Sequence, residues 1–317
     1  MAKVSETAVG EQKSESTLTV IIALAANALI AVAKTFAAVV TGASSMFAEA
    51  AHSWADTGNE VFLLVADRRS RRRPDERHPL GYGREAYVWS MFAAFGLFAV
   101  GAAVSVMHGI QELFDPEEAG SYVVSYVVLV VAFVLEGISF RQAFLQARGT
   151  AREHEREILD EVLSTSDPTV RAVFFEDAAA LIGIIIAFVG ILLHQLTGSP
   201  VPDAVGSILV GILLAIVAVV LIQRNRRFLV GEAVDPRVRA AALERLGSHA
   251  EITSVSYLHI EFVGPSKVFL VAAVDLEGDE TEREVAERLN DLEEELQGSP
   301  RIVRAVLTLS APGAPAL

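Results

Sequence analysis

The sequence predicts an α-helical membrane protein with six transmembrane helices, followed by a small α+β domain of element order αββαβ. Three observations carry this expectation. Six apolar stretches reach spanning length, Lys and Arg alternate between the connecting loops, and the pattern turns soluble after Arg227. Crossing hydrocarbon takes roughly 20 mostly apolar residues. Stretches at about 18–40, 45–66, 86–113, 122–145, 170–196 and 201–222 qualify.

The loops order these spans. The second is followed by Arg68, Arg69, Arg71, Arg72, Arg73 and Arg77, the fourth by Arg148, Arg152 and Arg156, and the sixth by Arg224, Arg226 and Arg227. The connections near 41–44, 114–121 and 197–200 carry no Lys or Arg. By the positive-inside rule both termini face the cytoplasm, which requires an even number of spans. The expected organisation is a cytosolic tail over 1–17, a membrane domain over 18–228 and a cytosolic domain over 229–317. The tail lacks a short apolar core with a small-residue cleavage site, so no cleaved signal is expected.

Composition narrows the chemistry. Of the 317 residues 52% are hydrophobic, and the formal net charge of −14 argues against a nucleic-acid partner, which needs clustered cations. There is no cysteine, which excludes disulfides and thiolate ligands. Any metal falls to imidazole, carboxylate, amide or water, a harder donor set.

The soluble end reads as a helix at 236–246, an alternating strand at 252–263, a Gly264-Pro265-Ser266 turn, a strand at 268–276, an acidic helix at 281–296 and a last strand at 302–309. This order makes a three-stranded, ferredoxin-like sheet with helices on one face. Its open edges predict pairing with a second copy, a homodimer. The charged stretch 151–167 is expected to begin helical and to end where Ser166-Asp167-Pro168 opens the fifth span.

Polar residues inside the spans are the functional signal. In the second span Glu49, His52, Asp56, Asn59 and Glu60 recur in steps of three or four, with Ser53 beside them, so one helical face is polar. An ionisable group in the bilayer costs at least about 2.5 kcal/mol, so this face lines a hydrated cavity or holds a cation. His52 and Asp56, at i and i+4, present an imidazole and a carboxylate to one ion, the geometry of helical zinc motifs. In the fifth span Glu176 and Asp177 are adjacent carboxylates in an apolar run, candidates for ligands or proton carriers. Asn27, Glu49 and Glu136 are further candidates for ligands or their supports. Lys34 snorkels to the interface or pairs with an acid.

Three segments together resemble the cation diffusion facilitator family: Thr41-Gly42, then Ala48-Glu49-Ala50-Ala51-His52-Ser53-Trp54-Ala55-Asp56, then His78-Pro79-Leu80-Gly81-Tyr82-Gly83-Arg84-Glu85. The resemblance runs over nearly the whole chain. It implies six helices, a dimerising ferredoxin-like cytosolic domain, and a tetrahedral site from His/Asp-x3-Asp pairs on helices two and five. His52 and Asp56 match the first pair, and Asp177 matches the second member of the other. Its first member falls on Val173, which has no donor, and Glu176 is the substitute. A Glu-Asp helix five is similar to a divergent branch that includes animal mitochondrial-type members. Some members also bind metal in the loop after helix two through an Asp and two His; here Asp75 and His78 match, and the second His is Tyr82. The strands that carry a cytosolic zinc site in some members offer no cluster, and His249 and His259 read as surface or packing residues.

What the resemblance implies is proton-coupled efflux of a divalent transition metal across an inner membrane by alternating access, with both termini cytoplasmic. No cofactor is implied. The transported ions are zinc, or manganese, iron or cobalt, in exchange for protons. There is no G-x-x-x-x-G-K-[ST] nucleotide motif. One rival is a membrane di-metal carboxylate enzyme, suggested by the Glu49-x-x-His52 step; carboxylate-bridged bundles need a second such step, and no span supplies it. A metal sensor or scaffold that binds without transport is the other.

Overall fold

The computed structural model describes residues 24–116, 121–278, 280–311 and 313–317. The predicted tail and the start of the first span lie outside the described residues. Two compact units divide the rest. One comprises 24–64, 90–165 and 169–223, and the other 65–89, 166–168 and 224–317.

Six long helices run through the first unit. They are α1 (Leu24–Thr41), α2 (Ser44–Ser70), α3 (Glu85–Phe114), α4 (Tyr122–Glu153), α6 (Pro168–Thr197) and α7 (Val201–Val230), with a short α5 (Ile158–Ser164) between α4 and α6. Five are apolar enough to cross a membrane on composition alone. The exception is α2, whose 27 residues have the length but include Glu49, Asp56, Glu60 and Asp67. Its Trp54 and Val61 are exposed, whereas Glu49, His52 and Asn59 are buried. A strongly polar helix thus crosses the bilayer by turning that face inward. Exposed Val123, Val127, Val130 and Phe133 on α4 present the opposite, a lipid-facing surface. The chain is a multi-pass membrane protein.

Several helices outrun the predicted spans because a helix need not stop at the edge of the hydrocarbon. The second continues through Arg68 and Arg69 to Ser70, and the fourth through Arg148 and Arg152 to Glu153. Past Glu153 the backbone breaks at Glu155, whose φ of 52° is left-handed. Residues Leu97–Ala102 inside α3 form a π-helical stretch that hydropathy does not register. Helices α3 and α7 approach through small residues: a Cβ on Gly211 would stand 2.8 Å from the Ala102 carbonyl, and one on Gly109 2.7 Å from that of Ala204. Without a hydrophobic drive in lipid, such close backbone contact is how spans associate. The Ser207 hydroxyl donates to the Ser105 carbonyl across the same seam at 2.8 Å.

In the second unit the αββαβ order appears as α8 (Pro236–Gly247), β1 (Ile252–Gly264), β2 (Lys267–Leu276), α9 (Glu282–Gln297) and β3 (Ile302–Leu309). The sheet order is β1-β2-β3, with β1 antiparallel and β3 parallel to β2. Register pairs Leu258 with Ala272, Ile260 with Leu270 and Leu270 with Ala305, so apolar side chains stack on one face. Leu246 of α8 and Leu292 of α9 join them in one core. Both helices are capped locally, α8 by Asp235 before Pro236 and α9 by a Thr281/Glu284 capping box. The predicted three-stranded sheet gains a short bridge between Ala233 and Glu261 along β1.

Candidate metal centre

The polar residues of four helices in the first unit meet around a cavity of about 80 Å³. That is room for a few waters or an ion with part of its shell. From α2 come Ser53, Asp56 and Glu60; from α6 come Val173, Glu176 and Asp177. The wall is completed by Asn27 of α1 and by Glu136 and Ser139 of α4. Helical periodicity explains the convergence, because 53, 56 and 60 share a face of α2, and 173, 176 and 177 a face of α6. Glu176 and Asp177 differ by about 100° around their helix, yet both reach the cavity because that face is broad.

Three of the five carboxylates on the cavity have a neutral hydrogen-bond partner. Asn59 donates to Glu176 Oε2 in a short hydrogen bond. The Ser139 hydroxyl donates to Asp177 at 2.7 Å, and Asn27 to Glu60 at 2.5 Å. These partners hold like charges apart while leaving lone pairs over. Asp56 Oδ1, Glu60 Oε2, Glu176 Oε1 and Ser53 Oγ are buried without a hydrogen bond. Buried polar atoms are normally paired, so unpartnered oxygens gathered on one cavity are suited to a cation or to water.

His52 is fully buried, its Nδ1 3.4 Å from Asp56 Oδ1, with no hydrogen bond to either ring nitrogen. Asp56 lines the cavity and His52 does not. Among the described residues, no three His, Asp or Glu side chains stand close enough to hold one ion. Of the predicted residues, Asn27, Asp56, Glu136, Glu176 and Asp177 are therefore brought together, His52 lies behind Asp56, and Glu49 lies apart in an ion pair with Lys34 at 2.9 Å. Ser139 went unnoticed in the sequence, since a lone Ser in an apolar run gives no signal. Asp203 was missed too: from the first turn of α7 its carboxylate accepts from the Ser44 amide at 2.6 Å and the Ser45 amide at 3.3 Å. It caps α2 from a neighbouring helix, offsetting the orphan amides of that terminus and fixing where the polar face begins.

The loop candidates sit in the second unit. His78 Nδ1 is 3.4 Å from Asp75 Oδ1, but the Tyr82 hydroxyl donates to Asp75 Oδ2 at 2.6 Å and the Arg77 and His78 amides donate to Oδ1. The Tyr82 hydroxyl, then the His78 amide, hold the Asp75 carboxyl below its ordinary value. Tyr82 stands where the second His was expected, and it uses the carboxylate to close the turn. The adjacent Gly83 lies against the Val263 carbonyl and Gly264, with no room for a Cβ, while Arg84 pairs with Glu261 at 2.8 Å. Close packing and these polar contacts together hold the loop's shape.

The chain matches the cation efflux transmembrane domain over residues 20–230. It is 35% identical over 233 residues to metal tolerance protein C4 of Arabidopsis thaliana, covering 74% of this chain and 51% of that protein. It is 35% identical over 259 residues to the mitochondrial proton-coupled zinc antiporter SLC30A9 of Xenopus laevis, covering 82% and 46%. A lower similarity, 23% over 235 residues, relates it to the manganese efflux system protein MneP of Bacillus subtilis, covering 72% and 73%. The chain thus spans about half the length of the first two relatives. With the helix-two motif, the six-helix unit and the match over residues 20–230 in agreement, this chain belongs to the cation diffusion facilitator family.

Proposed function

We propose that the protein exports a divalent transition metal, zinc foremost, in exchange for protons. The observation that carries this reading is the cavity between α1, α2, α4 and α6, lined by Asp56, Glu60, Glu136, Glu176 and Asp177 with unpartnered oxygens. Metal enters from the cytoplasm and is held by Asp56, Asp177, Glu176 and neutral His52, with Asn59 and Ser139 orienting the carboxylates. Small rotations of α2 and α6 bring these groups onto one ion. Protons and metal compete for the same lone pairs, so protonation from the far side drives release. Glu176 supplies the ligand that Val173 lacks; both face the cavity from one side of α6.

The carboxylate-rich set keeps manganese and iron open beside zinc. The names of two similar proteins, a zinc antiporter and a manganese efflux protein, support the same pair. The family is one of transporters, and we assign no catalytic residue. The αββαβ domain pairs two copies into a homodimer in a cell (inner) membrane, with both termini cytoplasmic.

The test is flux in sealed vesicles carrying a metal-sensitive dye under an imposed pH gradient, with zinc, manganese, iron and cobalt compared in one preparation. Wild type accumulates metal in proportion to the gradient, and Asp56→Ala and Asp177→Ala do not. Unchanged uptake in both variants would refute the site. Binding without flux in wild type would favour the sensor reading.

A further inference from the structure

Lys34 and Glu49 form an ion pair that is fully buried in the six-helix unit, at 2.9 Å and with both side chains at 0% exposure. Such burial is costly. Each ion loses its hydration, and an apolar pair of similar volume would often serve packing as well or better. The pair is also built for. Glu49 lies against α6, where a Cβ on Gly183 would stand 2.5 Å from Glu49 Oε1. That oxygen has no hydrogen-bond partner, so only half of the carboxylate is used by Lys34. Glu49 stands three residues before His52 and two helical turns before Asp56 on the same face of α2, and Asp56 lines the cavity.

We propose that Lys34 and Glu49 are positioning residues that set how tightly the divalent cation is held, Lys34 as a fixed positive charge opposing it and Glu49 as the counter-charge limiting that opposition. This deepens the proposed function and rests on it. In a low-dielectric surrounding a neighbouring charge acts strongly on an ion. A site that must release its cargo benefits from a built-in cation: affinity stays moderate and departure stays fast. The pair as a whole is neutral, so the metal meets a dipole whose two ends have opposite effects.

The test is zinc binding by calorimetry on purified full-length protein, with vesicle flux on the same variants. Lys34→Gln tightens zinc binding about tenfold or more and lowers both the KM and the maximal rate of flux. Glu49→Gln weakens binding by a similar factor. The double variant Lys34→Gln/Glu49→Gln, which leaves no lone buried charge, and Lys34→Arg, which keeps the pair, both bind within about threefold of wild type. Shifts of the same sign in the two single variants would overturn the proposal. If the single variants fail to fold, weakened binding in both the double variant and Lys34→Arg would overturn it, since packing alone would then be the role. Wild type that neither binds nor moves metal would instead defeat the transport reading.

Discussion

The six-helix unit and the αββαβ domain treat buried polar groups in opposite ways. In the domain, Asp235, Thr281 and Glu284 cap helices, and the core of Leu258, Ile260, Leu270, Ala272 and Leu292 is wholly apolar. In the membrane unit, Asp56, Glu60 and Glu176 carry buried oxygens with no partner, against one cavity. A folding unit gains by satisfying its polar groups; under the proposed function, the membrane unit leaves some for a cation. Where satisfaction fails locally, the candidate site follows.

The comparison can be broken at its strongest point first. Asp56→Asn keeps the shape of the side chain and removes its charge, and metal flux falls on the order of 100-fold, read in dye-loaded vesicles. A smaller loss would mean the cavity is not the site. Next, Leu270→Ala opens a hole in the apolar core and lowers the stability of the αββαβ domain by about 2–5 kcal/mol, read as an earlier thermal transition. Asn59→Ala or Ser139→Ala frees a carboxylate from its orienting partner, and zinc affinity drops about tenfold, measured by calorimetry. Gly211→Ala forces the α3–α7 seam apart, since the new methyl would meet Val106 Cγ2 at 2.6 Å. The expected cost is about 1–3 kcal/mol in a melting curve.

The smallest effect lies at the cap of α9. Thr281→Ala removes one side of the capping box, at a cost of about 1 kcal/mol to the domain. Glu284, on the other side, is held below its usual 4.5 by the Thr281 hydroxyl and then by the Thr281 amide. A depressed carboxyl contributes stability that is complete above its unfolded value and is lost as pH falls through the folded one. An acid titration of the melting temperature therefore shows a loss below about pH 4.5 in wild type that Thr281→Ala flattens. Equal slopes in both proteins would remove the capping box from the account.

Much of this was legible beforehand. Five apolar spans followed from hydropathy, the αββαβ order from a change of period, and the polar face of α2 from steps of three and four. Of the residues singled out by spacing, Asp56, Glu176 and Asp177 line the cavity, and His52 does not. What stayed hidden were relations between helices. Nothing near Ser139 marks it as the partner of Asp177, and nothing near Asp203 marks it as the cap of α2, because each bond joins residues 38 or 158 and more positions apart. Lys34 had two open outcomes, and burial against Glu49 decided between them.

By itself, then, the sequence determined which helices are apolar enough to cross a membrane and which residue types stand on the polar faces. Hydropathy and helical period are local properties, set within a few turns of chain. Only the tertiary structure decided that Val173, Glu176 and Asp177 share one cavity with Asp56, that His52 lies behind it, and that Glu49 pairs with Lys34. Those choices depend on how helices rotate and approach one another, through small residues such as Gly183 and Gly211 whose contacts lie far along the chain.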